Sequence, residues 1–164
     1  MSLSDIHETV QYLTFKLAEE TFALDVAKVR EILEESSVTK VPQTPDFMRG
    51  VINLRGSVVP VIDLRLKFGM SKTEKTVNTC IIVTEIQMVD GVTVLGALAD
   101  SVQEVVEIQP QLIEAAPHIG TRLNTDFIKG IGKQDGNFVM ILDIDKVFTT
   151  DELEVVHGQH GDSL

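Results

Sequence analysis

Apolar and polar positions alternate in short runs along most of the chain, the period expected of half-buried strands. Gln11 to Leu17 sets Tyr12, Thr14 and Lys16 on one face and Leu13, Phe15 and Leu17 on the other. A polar turn over Ala18 to Thr21 leads to a second strand, Phe22 to Val26, and the two predict a hairpin. Val29 to Glu34 mixes strand and helical-turn signals and stays open. Pro42 and Pro45 punctuate the connection that follows. Strands over Gly50 to Leu54 and Val58 to Ile62 then flank a tight turn at Arg55, Gly56 and Ser57. Pro60 cannot donate to a ladder, so an edge or a bulge is expected there. Asp63 can cap a short helical stretch from Leu64 to Phe68, which Gly69 ends.

The pattern recurs. Asp46 to Phe68 aligns with Asp126 to Phe148 without a gap, at an offset of 80. Gly50 and Gly56 fall on Gly130 and Gly136, and Asp63 falls on Asp143, the cap of a second short helix ending near Phe148. Recurring glycines predict turns, because only Gly adopts positive φ cheaply. Val29, Glu31, Ile32 and Glu34 align with Val102, Glu104, Val105 and Glu107 at an offset of 73. The second half supplies strands over Thr79 to Ile86, Val92 to Ala99, Val105 to Ile108, Ile128 to Ile131 and Phe138 to Leu142, with an irregular excursion from Pro110 to Pro117.

The fold class expected is all-β: two small five-stranded barrels with short helices after the barrel strands, since closure removes exposed edges. One module spans about 9–70 and the other about 77–148. Residues 151–164 are expected to be a helix end and a flexible tail.

The 164 residues suffice for a core without disulfide or metal staples. The single cysteine, Cys80, forms no internal disulfide and is expected as an inert buried thiol in an apolar strand. No apolar run approaches the ~20 residues of a membrane span, and the first twelve residues carry Asp5 and Glu8 but no Lys or Arg, unlike a signal peptide. A soluble, cytoplasmic protein is expected. The net charge of −11 argues against nucleic acid, whose binders gain affinity from Lys and Arg on phosphates. The aromatics are expected mostly on apolar strand faces, not on a basic stacking surface. Residues 26–75 stand apart with nine bases and six acids, which suits either a solvated surface or contact with an acidic partner.

Candidate chemistry is thin. Asp63 and Asp143, one per module, have the logic of a shared-proton dyad, but no Thr/Ser-Gly turn follows either, and helix capping accounts for both. His157 and His160, with Glu154 and Asp162, amount at best to an adventitious metal site, and His7 and His118 read as surface residues. No metal, cofactor or catalytic set is expected. The informative difference is at the turn: Asn53-Leu54-Arg55-Gly56 in one module, Lys133-Gln134-Asp135-Gly136 in the other. The glycine is kept, while Arg becomes Asp. A rigid turn Arg suits bidentate carboxylate recognition; a solvated Arg is the alternative.

The run from Arg49 through Asn53-Leu54-Arg55-Gly56-Ser57-Val58-Val59-Pro60-Val61-Ile62-Asp63-Leu64-Arg65 resembles the signature of the CheW-like domain family of bacterial chemotaxis coupling proteins. Phe22 to Val26, Val29 to Ile32, Val41-Pro42 and Asp143 to Lys146 extend the resemblance, which covers about Thr9 to Phe148. It implies two SH3-like barrels packed side by side and an adaptor, not an enzyme, that links the cytoplasmic tips of chemoreceptors to the histidine kinase CheA in membrane-associated arrays. It implies a receptor groove with Val29, Glu31, Arg55, Val102 and Val105, with Glu31 and Arg55 able to pair. It also implies a kinase-docking surface near Gly50 and Val29. Gly56, Gly136, Asp63 and Asp143 would be structural turn and cap residues.

Overall fold

The computed structural model describes residues 9–34, 38–89, 91–115, 127–149, 151–153 and 156. Ten strands lie among the described residues: β1 (Val10–Leu17), β2 (Glu20–Asp25), β3 (Val29–Glu34), β4 (Met48–Leu54), β5 (Ser57–Asp63), β6 (Cys80–Met88), β7 (Gly91–Ala99), β8 (Ser101–Ile108), β9 (Ile128–Gln134) and β10 (Asn137–Leu142). Helices α1 (Leu64–Lys67) and α2 (Ile144–Val147) follow β5 and β10. Each is capped by its aspartate, Asp63 accepting from the Arg65 amide and Asp143 from the Asp145 amide. The ambiguous Val29–Glu34 is a strand, and its residues alternate between half-buried and exposed.

The strands form two five-stranded curled sheets, and each sheet takes strands from both halves of the chain. Barrel A runs β8-β1-β2-β10-β9 and barrel B runs β3-β6-β7-β5-β4. The assignment of 9–70 to one barrel and 77–148 to the other is therefore corrected: the halves exchange their leading hairpins. The joins are parallel ladders. Met140 and Ile141 lie beside Phe22 and Ala23, while Val61, Ile62 and Asp63 lie beside Gly96, Ala97 and Leu98. A sequence repeat shows which strands recur but not which strands they pair with. Here β1 is buried on both faces, so no alternation ties it to its own half.

Isolated bridges from Thr39 to Val51 and from Glu114 to Ile131 curl each sheet back onto its far strand. These bridges correct the role of two glycines. A Cβ on Gly50 would overlap the Thr39 carbonyl oxygen, and one on Gly130 would lie 2.9 Å from the Glu114 carbonyl oxygen. Both are crossing points, not turns. Pro60 also differs from expectation. It lies in β5, between β4 and β7, and the ladder to β7 begins only at Val61, which spares that ladder a missing donor.

Three apolar clusters among the described residues hold the fold. Tyr12, Val106, Ile108, Val139 and Ile141 fill barrel A, and Ile52, Val59, Val61, Ile81, Val83 and Leu98 fill barrel B. A larger shared core between the barrels includes Leu13, Phe15, Phe22, Leu24, Ile62 and Leu142. The Phe47 and Phe148 rings meet at 5.8 Å, and the Phe127 and Phe68 rings at 4.5 Å. Because Phe127 is the counterpart of Phe47 and Phe148 that of Phe68, each contact is the image of the other about a pseudo-two-fold axis. Leu153 and Val156 are buried in this shared core, behind a capping box in which Thr149 and Glu152 bond each other's amides. The expected flexible tail, from residue 157 on, lies outside the described residues.

Candidate functional site

The β4–β5 and β9–β10 turns have one geometry. Arg55 and Gly56 have φ of +51° and +86°, and Asp135 and Gly136 have +53° and +82°. Two successive positive φ values make the two-residue hairpin turn whose twist matches the strands. Asp tolerates the left-handed region; Arg is unfavourable there. The turn does not require Arg55, so the observed conformation points toward a role for the side chain itself.

Glu31 supplies its partner. The inward row of β3 is Val29, Glu31 and Leu33, which places a carboxylate on the inner face of an edge strand. Both guanidinium ends of Arg55 donate to it, Nη1 at 2.5 Å and Nη2 at 3.0 Å. The Arg55 side chain is 73% exposed and the Glu31 side chain 21%, so Glu31 is the fixed member and Arg55 the presented one. The hydrogen bond from Arg55 holds the Glu31 carboxyl below its ordinary range. Burial opposes this, and the Arg55 and Arg30 charges assist it. The same bond raises the Arg55 guanidinium further.

Val29 and Val102 are half-buried, and both pack against the shared core. They sit on β3 and β8, edge strands of different barrels, and so belong to the seam between them. Val105 lies further along β8 and is 53% exposed. Gly50 is enclosed under the Thr39 segment, so it shapes barrel B and offers no side chain to a partner. Gly56 and Gly136 occupy the second turn positions, open to solvent.

Sequence reasoning missed what surrounds Asp63. This carboxylate is fully buried and accepts four hydrogen bonds, two on each oxygen. Oδ1 receives the Arg65 amide at 3.1 Å and the Thr73 hydroxyl at 2.7 Å. Oδ2 receives Arg49 Nη1 at 3.1 Å and the Thr73 amide at 3.0 Å. The signal was available: a base and an acid recur fourteen residues apart as Arg49/Asp63 and Lys129/Asp143. Asp143 is partly exposed, with Lys146 at 4.0 Å. The two carboxylates thus have unlike surroundings on different barrels, which is not the shared-proton arrangement. Cys80 is half-buried at the start of β6, not enclosed, and its thiol donates to the Asn78 carbonyl. Phe138 departs from the expected burial of the aromatics at 66% exposed, with Lys133 Nζ 5.8 Å from its ring centroid. Among the described residues no group of three His, Cys, Asp or Glu is placed to hold a metal ion; all four histidines lie outside them.

The CheW-like domain profile matches residues 11–152. Over 151 residues the chain is 36% identical to the chemotaxis protein CheW of Klebsiella aerogenes, covering 91% of this chain and 89% of that protein. A more distant relative, protein FrzA of Myxococcus xanthus, is 29% identical over 145 residues, 85% of this chain and 86% of that one. The fold is similar to the crystal structure of the scaffolding protein TtCheW from Thermoanaerobacter tengcongensis. The TM-score is 0.78 at 37% sequence identity, covering 88% of this chain and 95% of that one.

Proposed function

The chain belongs to the CheW-like domain family and is a chemotaxis adaptor, and from that premise we propose how it couples its partners. It joins the cytoplasmic tips of transmembrane chemoreceptors to the histidine kinase CheA and catalyses no reaction. The receptor, a helical hairpin, lies along the seam between the barrels, where Val29 and Val102 give an apolar floor and Val105 a rim. Arg55 is the charged anchor, and Glu31 holds its guanidinium in place. The kinase docks on barrel B beside Val29, with Gly50 acting through the shape of that barrel. No helix among the described residues is long and apolar enough to cross a membrane. The protein works in the cytoplasm and reaches the array through its partners.

The observation that carries this reading is Arg55 itself. It is held in an unfavourable backbone conformation, exposed, and braced by a bidentate carboxylate. Loss of an interface-anchoring Arg weakens binding by about tenfold or more. Arg55→Ala should therefore lose affinity for a soluble receptor cytoplasmic fragment while its melting curve stays that of the parent. Asp135→Asn, at the matching turn, should keep both. Parental receptor binding by Arg55→Ala would overturn the anchor assignment. The similarity to FrzA supports a second reading, the same coupling work in another chemosensory pathway; capture of partners from the native host distinguishes the two.

A further inference from the structure

The pseudo-two-fold maps Arg55 onto Asp135, and it also maps Glu31 onto Glu104. The second correspondence rests on geometry as well as on sequence. The β3–β6 register shifts between Val29 and Glu31, and the β1–β8 register shifts at the matching place, between Val102 and Val105. In barrel A the Thr14 hydroxyl bridges this bulge, accepting from the Glu104 amide and donating to its carbonyl. The Glu104 backbone is thereby held at the bulge, and its side chain is exposed where that of Glu31 is half-buried. Where barrel B pairs a carboxylate with a guanidinium, barrel A sets Glu104 and Asp135 around one hollow of about 260 Å3, together with Gln134, Asn137 and Lys16. Neither carboxylate has an ion-pair partner among the described residues. The Lys16 ammonium turns instead toward the Glu19 carbonyl, at 3.4 Å.

From this we infer that the hollow between Glu104 and Asp135 receives an arginine side chain from a partner protein, supplying in trans the guanidinium that Arg55 supplies in cis to Glu31. Barrel B is the internal precedent, because the counterpart of Glu104 binds a guanidinium in bidentate fashion. Guanidinium suits the site better than ammonium: it is planar and can donate to two carboxylates and to the Gln134 and Asn137 amide oxygens at once. The wider field favours a cation. Residues 10–25 and 101–148, which include the strands of barrel A, carry ten acids and five bases, whereas residues 26–99 carry eight acids and nine bases. The inference is independent of how the seam engages receptors.

The test is a titration of the full chain with N-acetyl-arginine amide, followed by amide chemical shifts at constant ionic strength. The neutral isostere N-acetyl-citrulline amide serves as control. Saturable shifts are expected at Thr14, Gln103, Glu104, Asp135 and Asn137. Apparent affinity should be about tenfold weaker for the citrulline compound, and equally reduced for arginine in the Glu104→Gln and Asp135→Asn double variant. Asn also accepts the left-handed turn, so that variant keeps the fold. Asp135→Arg should recreate the barrel B pair with Glu104 and exclude the probe. Equal response to both compounds, shifts spread over the acidic surface, or undiminished binding in either variant would overturn the inference.

Discussion

Asp63 offers the most direct test of how this fold is held. Its four hydrogen bonds divide two and two between the carboxylate oxygens. In Asp63→Asn an amide NH2 must replace one oxygen, and whichever way the amide turns, that NH2 faces two donors. The better orientation points it at the Thr73 hydroxyl, which can rotate to accept, and leaves the Arg65 amide without its cap. The bond from the Thr73 amide then becomes a neutral one, and the bond from Arg49 Nη1 keeps its cationic donor but loses its anionic acceptor. One buried donor loses its acceptor and a partly buried ion pair is broken, so the cost should be about 3 kcal/mol. For a chain of this length that lowers the melting temperature by roughly 6–12 °C. Asp143→Asn is the internal control. Asp143 caps α2 on the other barrel, and Asn caps as well as Asp, so the change should stay under about 0.5 kcal/mol. Urea unfolding with a common m-value measures both. Equal shifts for the two variants would refute the reasoning, because the difference rests wholly on Arg49 and Thr73. Arg49→Met combined with Asp63→Asn should cost less than the sum of the single changes, since the two are direct partners.

Three other outcomes follow from the fold and the Arg55 pair. Gly50→Ala forces a Cβ into the Thr39 backbone at a φ of +149° and should cost about 3 kcal/mol or more, whereas Gly56→Ala, with open space around it, should cost about 1 kcal/mol; similar urea midpoints would remove the distinction between crossing point and turn. Residues 1–77 and 78–164 made separately should show no cooperative unfolding and should assemble one to one when mixed, because each barrel needs a hairpin from the other piece; a half that melts cooperatively alone contradicts the exchange. Glu31 has a lowered pKa when folded, so the contribution of its pair with Arg55 is present above the ordinary carboxylate range and is lost only as pH falls through the lowered value. Carbon-13 titration should place its midpoint below that found in Arg55→Ala, and equal midpoints would count against the pair.

Much of this architecture was legible in the chain because local rules decided it. The Arg55-Gly56 and Asp135-Gly136 turns, the Asp63 and Asp143 caps and most strand centres follow from alternation and from residues with one preferred conformation. What was not legible was partnership at a distance. The hairpin exchange depends on which strand lies beside β2 and β5, and parallel joins of two or three residues leave no pattern in the sequence. Gly50 was visible as a recurring glycine, but its cause, the return of Thr39 across β4, is a long-range contact. Thr73 lies in a loop with no periodicity, so nothing tied it to Asp63 before the fold was known.

The repeat is most informative where its copies part. Selection for the fold alone would keep equivalent positions alike, as it has with Gly56 and Gly136 or with the reciprocal pairs Phe47–Phe148 and Phe127–Phe68. Arg55 with Glu31 and Asp135 with Glu104 occupy matching backbone positions and carry opposite electrostatic character at the turn. The backbone conformation is the same at both turns, and Asp is the residue it accommodates with less strain. The arginine therefore runs against local preference, while the aspartate agrees with it but leaves two carboxylates with no ion-pair partner among the described residues. Two equivalent barrels could bind a partner equally at either end; unequal charge at the two turns removes that degeneracy. An adaptor that holds different proteins on one small, nearly symmetric body needs such a difference, and Arg55 against Asp135 is one place where this chain has it.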